Sequence, residues 1–412
     1  MSGLLVPAEP LTWRTKGLLT GPAGVLKAHD VIGTSIFDGP LTWPLLTLRD
    51  SALRHNVAQL AEFCRQRNVQ LAPHAKTTMS PELVRRQLEA GAWGVTVATA
   101  HQALVAREWD ARRILLANEL VEPRALRRLA AELDRDHGFE FFCYVDSPAS
   151  VDAVASAQGG RSFQVLVELG RPGARTGCRD LDSVVAVATA AIAAGLEVVG
   201  VAGYEGGLPD ATAVLAYVGL LRDAAARLHA AGLLAAGRPC IVTAGGSSWF
   251  DVVADGLTAA RDDGVDVFPV LRSGAYIGHD DGFYKEATPY AVRLAGVGEL
   301  QPALRLWAQV LSAPEPGLAF AGFGKRDASF DLGLPTALAV RGGDGTTRDA
   351  TGITVTKLDD QHAYLTVAAT PLAVGELVEF GLSHPCTVFD KWSTICVVDD
   401  DDIVTDVLHT YF

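Results

Sequence analysis

The sequence predicts an α/β protein, with a TIM-like (β/α)8 barrel followed by a second, mainly antiparallel β domain. The chain of 412 residues is too long for one ordinary hydrophobic core. Between about residues 45 and 272, short apolar runs alternate with helix-like segments, which is the rhythm of a parallel sheet. After about residue 282 the chain changes to short strands broken by glycine, proline and aspartate, a texture typical of antiparallel sheets.

Eight apolar or β-branched runs make the candidate barrel strands, and eight is the number that closes a TIM barrel. They are residues 69–73, 94–98, 114–117, 139–145, 163–168, 196–202, 240–244 and 265–271. A ninth run, residues 44–48, is assigned outside the barrel. The barrel domain is therefore predicted over residues 46–280 and the β domain over 281–412, joined by the N-terminal segment 1–45.

Local sequence signals also predict where helices and turns connect the strands. Asp50 caps a predicted helix with apolar residues on one face. The pair Ser80-Pro81 begins another helix, and Gly91 ends it. The acidic run 399–402 lies between two apolar runs, so it predicts a solvated hairpin turn rather than a cation site.

Composition and charge exclude several classes of function. A formal net charge of -13 disfavours a nucleic-acid partner. No apolar run approaches the ~20 residues that span a bilayer, and the first residues lack the basic and apolar regions of a signal peptide. Six scattered cysteines fit reduced thiols better than a disulfide framework. These features predict a cytoplasmic protein without a membrane partner.

Lys76 is the first candidate for chemistry. It follows the run 69–73 and precedes the helix start at Ser80, which places it at the C-terminal mouth of a barrel strand, where such barrels carry their catalytic groups. Near apolar surroundings, His74 and Thr77, its amine could form an imine with a carbonyl cofactor. The alternative is an ordinary surface lysine whose stem packs on apolar neighbours.

A glycine-rich turn follows the seventh predicted strand, with the sequence Thr243-Ala244-Gly245-Gly246-Ser247-Ser248. Adjacent glycines expose backbone N–H groups that can cradle a phosphate at a helix N-terminus. The late loops of barrels are also a common place for phosphate. Taken alone, the pair of glycines is equally a plain connection.

His384 and Cys386 are two residues apart, a spacing that puts them on the same side of a strand. They offer the nitrogen and sulfur ligands that suit zinc. Two ligands are too few for a closed structural site, so a bound metal would keep open positions for catalysis. A buried cysteine beside a satisfied histidine is the alternative.

Several stretches resemble the family of D-threonine aldolases and D-serine dehydratases. The cofactor-lysine segment of that family is similar to Pro73-His74-Ala75-Lys76-Thr77 with Pro81-Glu82 and residues 87–92. Further similar stretches are Asn118-Glu119, Gly203-Tyr204-Glu205-Gly206, residues 243–247, residues 271–276 and residues 383–390. The resemblance spans most of the chain and implies a fold like that of alanine racemase.

The resemblance implies pyridoxal 5'-phosphate as cofactor, with Lys76 as its Schiff-base lysine. The loop of Gly245, Gly246 and Ser247 would hold the phosphate, Tyr204 would lie near the cofactor, and Tyr276 would close the site. Further implied cofactor contacts are His74 and Ser273. His384 and Cys386 match the metal-binding pair, for zinc, or alternatively manganese or magnesium. Arg175 is a candidate contact for substrate or cofactor, and relatives of this fold imply a homodimer.

The function implied is deamination of a β-hydroxy D-amino acid, such as D-serine or D-threonine, to a 2-oxo acid and ammonia. Cys386 favours this outcome, because the cysteine version of the pair resembles the zinc-dependent dehydratases. The same groups permit aldol cleavage to glycine and an aldehyde. Racemization, which would leave the metal pair unexplained, and a non-catalytic carrier of pyridoxal phosphate are the remaining alternatives.

Overall fold

The computed structural model of the protein describes residues 10–19, 24–368 and 371–412. The first nine residues, on which the expectation of no signal peptide depends, lie outside this part, as does some of the predicted segment 1–45. The chain divides into two compact units. The barrel unit contains Leu60–Lys76 and Val84–Gly274. The β unit contains the described residues before Leu60, together with Thr77–Leu83 and Ala275–Phe412.

In the part of the chain that the structure describes, three elements precede the barrel strands. They are the short helix α1 (Ala28–Val31), strand β1 (Leu45–Arg49) and helix α2 (Asp50–Gln66). Helix α2 begins at Asp50, as predicted. A carboxylate in the first turn is stabilised by the positive end of the helix dipole.

The barrel unit alternates short parallel strands with helices. The strands are β2 (Gln70–Leu71), β3 (Val95–Val97), β4 (Arg113–Glu119), β5 (Glu140–Val145), β6 (Gln164–Glu168), β7 (Glu197–Ala202), β8 (Cys240–Ala244) and β9 (Val267–Leu271). The helices are α3 (Pro81–Glu89), α4 (Ala100–Glu108), α5 (Pro123–Arg135), α6 (Pro148–Ala155), α7 (Leu181–Ala193), α8 (Ala211–Ala230) and α9 (Phe250–Thr258). All eight predicted strands are confirmed.

The eight strands form one parallel sheet in the order β2-β9-β8-β7-β6-β5-β4-β3. Its two ends are joined, because the N–H of Trp93 donates to the carbonyl of Leu71 at 2.7 Å and the N–H of Thr96 donates to that of Pro73 at 2.9 Å. The predicted α/β barrel class is thereby confirmed. Parallel strands direct their C-terminal ends to the same mouth, so residues just after each strand meet there.

Side-chain caps explain where several barrel helices begin. Thr99, Ser147, Asp180 and Asp210 each accept a hydrogen bond from the backbone N–H three residues later. Such caps satisfy N–H groups that lack a partner within the helix. The barrel interior is filled by a cluster of buried apolar and aromatic side chains, Ala72, Leu115, Phe142, Tyr144, Leu166, Val199, Ala202, Ile241 and Val270.

Among its described residues, the β unit adds two short helices and nine strands to β1. The helices are α10 (Phe283–Ala287) and α11 (Pro289–Val292). The strands are β10 (Leu304–Glu315), β11 (Leu318–Ala321), β12 (Thr336–Arg341), β13 (Thr347–Asp349), β14 (Ile353–Leu358), β15 (Ala363–Val367), β16 (Leu377–Gly381), β17 (Thr394–Val398) and β18 (Val404–His409).

These strands form one sheet with the main order β13-β12-β16-β10-β1-β17-β18, and β11, β14 and β15 extend it from β10. Every pairing is antiparallel except that of β1 with β17. The predicted antiparallel character is confirmed, and so is the placement of the ninth run, now β1, outside the barrel. The acidic run 399–402 is the turn between β17 and β18, as expected.

The core of this sheet includes residues from the N-terminal part of the chain. Leu11, Leu18 and Val31 are buried together with Trp307 and Val404. Among the residues that the structure describes, no helix is long and apolar enough to cross a bilayer.

Candidate active site

Lys76 lies in a short 3-10 turn, Ala75–Thr77, that follows strand β2. It borders a cavity of about 200 Å³ at the C-terminal ends of the barrel strands. The other residues around this cavity are His74, Ala98, Ala117, Asn118, Arg175, Tyr204, Gly245, Gly246 and Arg272. The structure therefore brings Lys76 together with His74, Tyr204 and the two glycines, all predicted cofactor contacts.

His74 is a half-buried residue in the wall of this cavity. Burial, together with the positive charges of Lys76, Arg272 and Arg175, holds the pKa of His74 well below its usual range. The ring is consequently neutral at physiological pH. Its buried Nδ1 atom has no hydrogen-bond partner within the described part of the chain, and an unmatched buried polar atom facing a cavity fits a site that receives a polar ligand.

Arg272 was not singled out from the sequence, although it stands directly after the last barrel strand. Its side chain is 7% exposed. It donates to the hydroxyl of Thr243 at 2.7 Å and to the carbonyl of Gly203 at 2.7 Å. A guanidinium held in this way is a fixed positive charge in the cavity wall. It suits an anionic cofactor such as pyridoxal phosphate, as does the amine of Lys76.

The glycine-rich loop is held by a buried carboxylate. Glu205 is fully buried, and it accepts the N–H of Gly245 at 3.0 Å and that of Gly246 at 2.5 Å. Gly245 has a φ of +99°, and a Cβ there would lie 2.5 Å from the Leu271 side chain. The conformation therefore requires glycine. Glu205 occupies the two N–H groups that the glycine pair was expected to present to a phosphate, so a phosphate would bind beyond them, from Ser247 onward.

Replacement of Glu205 by glutamine is expected to weaken cofactor binding by roughly 10- to 100-fold. An amide keeps the shape but turns an NH2 group toward one of the two donors, and a charge-assisted hydrogen bond is worth about 1.5–3 kcal/mol. Titration of the apo-enzyme with pyridoxal phosphate, followed by absorbance, measures the affinity. Thermal unfolding of the apo-enzyme serves as the control for general damage. Unchanged affinity would show that Glu205 does not organise the loop for the cofactor.

Tyr204 and Arg175 separate the Lys76 cavity from a second cavity of about 220 Å³, which both residues also line. The Arg175 guanidinium lies 4.3 Å from the centre of the Tyr204 ring, a cation–π contact. Tyr204 is 40% exposed. Arg171 also lines the second cavity, and its buried Nε atom has no partner among the described residues. Two guanidinium groups here suit a carboxylate of a substrate.

Two carboxyl groups meet inside the barrel, Glu119 at the end of β4 and Glu168 at the end of β6. Burial, followed by the charges of Glu168 and Asp146, raises the pKa of Glu119 to about 8. Glu119 therefore keeps its proton at neutral pH. Glu119 lies in a stretch that resembles the family, but the sequence alone indicated no role for it.

Replacement of Glu119 by glutamine is expected to stabilise the protein at alkaline pH. Because the folded state holds this proton up to about pH 8, the wild type loses stability as pH rises from the ordinary glutamate pKa to that value. Glutamine has nearly the same shape but cannot ionise, so it carries no such penalty. After allowance for solvent screening, we expect a gain of about 1–2 kcal/mol at pH ~9 and little at pH ~5. Denaturant unfolding at both pH values tests this, and an equal difference at both would contradict it.

His384 and Cys386 lie in the β unit. His384 precedes a 3-10 turn, Pro385–Thr387, and its backbone is left-handed with φ 53° and ψ 78°. The side chain of Asp331 lies 2.6 Å from Nδ1 of His384 and accepts the Thr387 hydroxyl at 2.9 Å. With Nδ1 bound to a carboxylate, Nε2 is the nitrogen left for a metal.

Cys386 is linked to both His384 and Thr77. A hydrogen bond with the Cys386 thiol raises the pKa of His384; burial opposes this rise, and contact with Asp331 adds to it. The hydroxyl of Thr77, the residue after Lys76, lies 3.3 Å from Sγ of Cys386. Imidazole nitrogen and sulfur are donors that fit zinc. Within the described ranges, no group of three or more His, Cys, Asp or Glu residues is arranged to hold a metal, so the pair would leave coordination positions open.

The last two predicted contacts are buried. Ser273 belongs to the barrel unit, where its hydroxyl donates to the carbonyl of Gly245 at 3.1 Å and so braces the glycine loop. Tyr276 belongs to the β unit, within a 3-10 turn, Ala275–Ile277, and is 2% exposed. Its contact with a cofactor stays a prediction.

Two protein-family models match parts of the chain. Residues 49–253 match the family described as "Alanine racemase, N-terminal domain". Residues 303–398 match the family described as "Putative serine dehydratase domain". The chain thus contains a domain similar to the N-terminal domain of alanine racemase and a domain similar to a serine dehydratase domain. The resemblance inferred from the sequence is thereby confirmed, and the two matches fall mainly on the barrel strands and on the antiparallel sheet.

Two curated enzymes are similar in sequence. D-threo-3-hydroxyaspartate dehydratase of Delftia sp. (strain HT23) is 30% identical over 249 residues, which are 58% of this chain and 62% of that enzyme. The match thus spans less than two thirds of its length. D-threonine aldolase of Arthrobacter sp. is 26% identical over 371 residues, 88% of this chain and 90% of that enzyme.

Solved structures share the fold. D-threonine aldolase from Filomicrobium marinum has a TM-score of 0.74 and 24% identity, with 90% of this chain and 95% of that chain covered. A cysteine-to-alanine mutant of D-threo-3-hydroxyaspartate dehydratase, described as in the metal-free form, has a TM-score of 0.70 and 24% identity, with coverages of 90% and 98%. At these identities the likeness establishes the fold alone.

Proposed function

We propose that this protein is a pyridoxal-phosphate- and divalent-metal-dependent lyase that deaminates a β-hydroxy D-amino acid, giving a 2-oxo acid and ammonia. The observation that carries the proposal is the His384–Cys386 pair, with the histidine ring oriented by Asp331 at 2.6 Å. Similarity to a D-threo-3-hydroxyaspartate dehydratase supports the choice of substrate class. D-serine, D-threonine and D-threo-3-hydroxyaspartate are the candidates.

The barrel cavity supplies the groups that would hold the cofactor. Lys76 would carry it through its amine, His74 and Arg272 would face it as a neutral imidazole and a fixed cation, and Tyr204 would lie beside it. When bound, pyridoxal phosphate draws electrons from Cα of an amino acid and so weakens the bonds at that carbon. Once the amine of the substrate replaces that of Lys76, Nζ would be the base for the Cα proton.

The β unit supplies the groups that would hold the metal. Nε2 of His384 and Sγ of Cys386 are the proposed ligands, and zinc is the ion that this donor set favours, with manganese or magnesium as alternatives. A metal at such an open site acts as a Lewis acid on a substrate oxygen. Loss of the Cα proton and of the β-hydroxyl as water leaves an enamine, which water converts into the 2-oxo acid and ammonia.

Aldol cleavage to glycine and an aldehyde is the second candidate, since D-threonine aldolase of Arthrobacter sp. is 26% identical over most of both chains. Both reactions need Lys76 and the metal pair. In dehydration the β-hydroxyl gains a proton and leaves as water. In aldol cleavage the β-hydroxyl loses its proton. Cys386 favours dehydration, because the cysteine version of the metal pair resembles that of the zinc-dependent dehydratases.

A product assay decides between these reactions. Purified, zinc-loaded enzyme is incubated with D-threonine, and 2-oxobutanoate and acetaldehyde are measured side by side. Oxobutanoate with ammonia supports the proposal, whereas acetaldehyde with glycine replaces it by the aldolase. D-threo-3-hydroxyaspartate is tested in parallel, with oxaloacetate or glyoxylate as the two products. Conversion to the L-isomer would indicate a racemase, and a cofactor-loaded protein without turnover on any of them would indicate a carrier.

We further propose a homodimer and a cytoplasmic location. Fold relatives imply the dimer, and light scattering of the purified protein tests it. The location is supported by the cysteines, because all six lie in the described part of the chain and all are unpaired thiols. Unpaired thiols are typical of a reducing compartment.

A further inference from the structure

We propose that Asp280 is the positioning residue for His384, and that its carboxylate fixes the main chain of this metal ligand. The inference rests on the proposed metal role of His384. It concerns a residue 104 positions away in the sequence, in a loop that none of the proposed chemistry uses. Both residues belong to the β unit.

The buried carboxylate of Asp280 accepts four hydrogen bonds from backbone N–H groups. It is 1% exposed. Its Oδ2 atom accepts the backbone N–H of His384 at 2.8 Å. Its Oδ1 atom accepts three more backbone N–H groups, those of Gly282 at 3.1 Å, Tyr284 at 2.8 Å and Lys285 at 3.1 Å. One carboxylate thus ties the start of α10 to the residue that precedes the Pro385 turn.

The backbone of His384 needs such an anchor. Its φ of 53° is in the left-handed region, which is unfavourable for a residue with a Cβ. The following Pro385 also disfavours a relaxation to the right-handed helical region. The hydrogen bond to Asp280 also opposes a change of the His384 backbone to other conformations. Rotation of the peptide would leave a buried carboxylate oxygen without its donor.

Two carboxylates therefore hold His384, one at its main chain and one at its ring. Asp280 accepts its main-chain N–H, and Asp331 contacts Nδ1 of its ring. Hydrogen bonds from residues that do not bind the metal orient metal-binding histidines. The loss of such a bond typically lowers metal affinity by about 10- to 100-fold. The loop is also braced by Ser383, whose hydroxyl accepts the N–H of Phe283 at 3.1 Å.

The test is Asp280→Asn in the cofactor-loaded enzyme. The amide oxygen can keep the three donors of α10, but the NH2 group then faces the N–H of His384 and repels it. We expect zinc affinity, measured by competition with a chromophoric chelator, to fall by about 10- to 100-fold. The absorbance of the cofactor bound through Lys76 reports that the barrel unit remains folded.

Asp281→Asn is the matched control. This neighbouring carboxylate is half-buried, but it pairs with Arg305 at 2.7 Å instead of contacting His384. Its replacement should change zinc affinity by less than about threefold. Asp280→Ser, which removes both oxygens of the carboxylate, replaces Asp280→Asn if that variant fails to fold. Wild-type affinity in the soluble Asp280 variant, or an equal loss in Asp281→Asn, overturns the inference. Absence of zinc binding in the wild type instead overturns the metal role of His384.

Discussion

Lys76→Ala is expected to abolish both the yellow colour of the bound cofactor and turnover. Lys76 is the lysine of the barrel cavity, beside His74, Tyr204 and Arg272. Its removal takes away the covalent attachment and the proposed base for the Cα proton, so activity should fall by at least ~10³-fold. The measurements are the visible absorbance spectrum and product formation from D-threonine.

Borohydride treatment followed by peptide mapping gives an independent check. In the wild type the reduced cofactor should remain attached to the peptide that contains Lys76. Lys357→Ala is the control, because this exposed lysine pairs with Asp359 on a strand of the β unit and should not affect the spectrum. Retention of a reducible cofactor by Lys76→Ala would refute the assignment.

Cys386→Ala and His384→Ala are each expected to remove the metal and suppress turnover by at least ~10²-fold while the cofactor spectrum stays unchanged. The reason is that the metal pair lies in the β unit, whereas the residues around the Lys76 cavity belong to the barrel unit. Loss of a Lewis acid worth several kcal/mol gives this reduction. Metal analysis, absorbance and product assay on the same sample make the measurement.

Cys396→Ala serves as the control for removing a thiol from the β unit. Cys396 is buried in β17, away from the Pro385 turn in sequence. This variant should retain zinc even if it is less stable. Chelation of the wild type should reproduce the loss, and added zinc should restore activity to the wild type but not to Cys386→Ala. Full activity of the metal-free enzyme would remove the metal from the mechanism.

The architecture could be predicted from the sequence because each barrel strand leaves a local signal. A buried parallel strand is an apolar run bounded by turn residues, and eight such runs were visible. The predicted ends of the strands were less accurate than their number and order. The run 69–73 was predicted as a strand of five residues, whereas β2 contains Gln70–Leu71 alone. Pro73 has no N–H for a sheet, which accounts for part of this difference.

The site could be predicted where chemistry depends on neighbours in sequence. Lys76 and His74 follow one strand, and both line the cavity at the C-terminal ends of the barrel strands. Arg272 could have been found by the same rule, since it follows β9 directly. Glu205 could not be assigned, because its partners Gly245 and Gly246 are 40 and 41 positions away. Asp331 is 53 positions from His384, and no periodic pattern indicates such a pair.

The central place of β1 in its sheet limits when the protein can complete its fold during synthesis. Strand β1 ends at Arg49, but it lies between β10, which begins at Leu304, and β17, which begins at Thr394. The ribosome therefore releases this apolar strand long before either partner exists. A fragment that starts at Ala275 would lack β1 and expose the facing edges of both partners, a liability for aggregation. Expression of the C-terminal region alone should consequently require co-expression of the N-terminal segment.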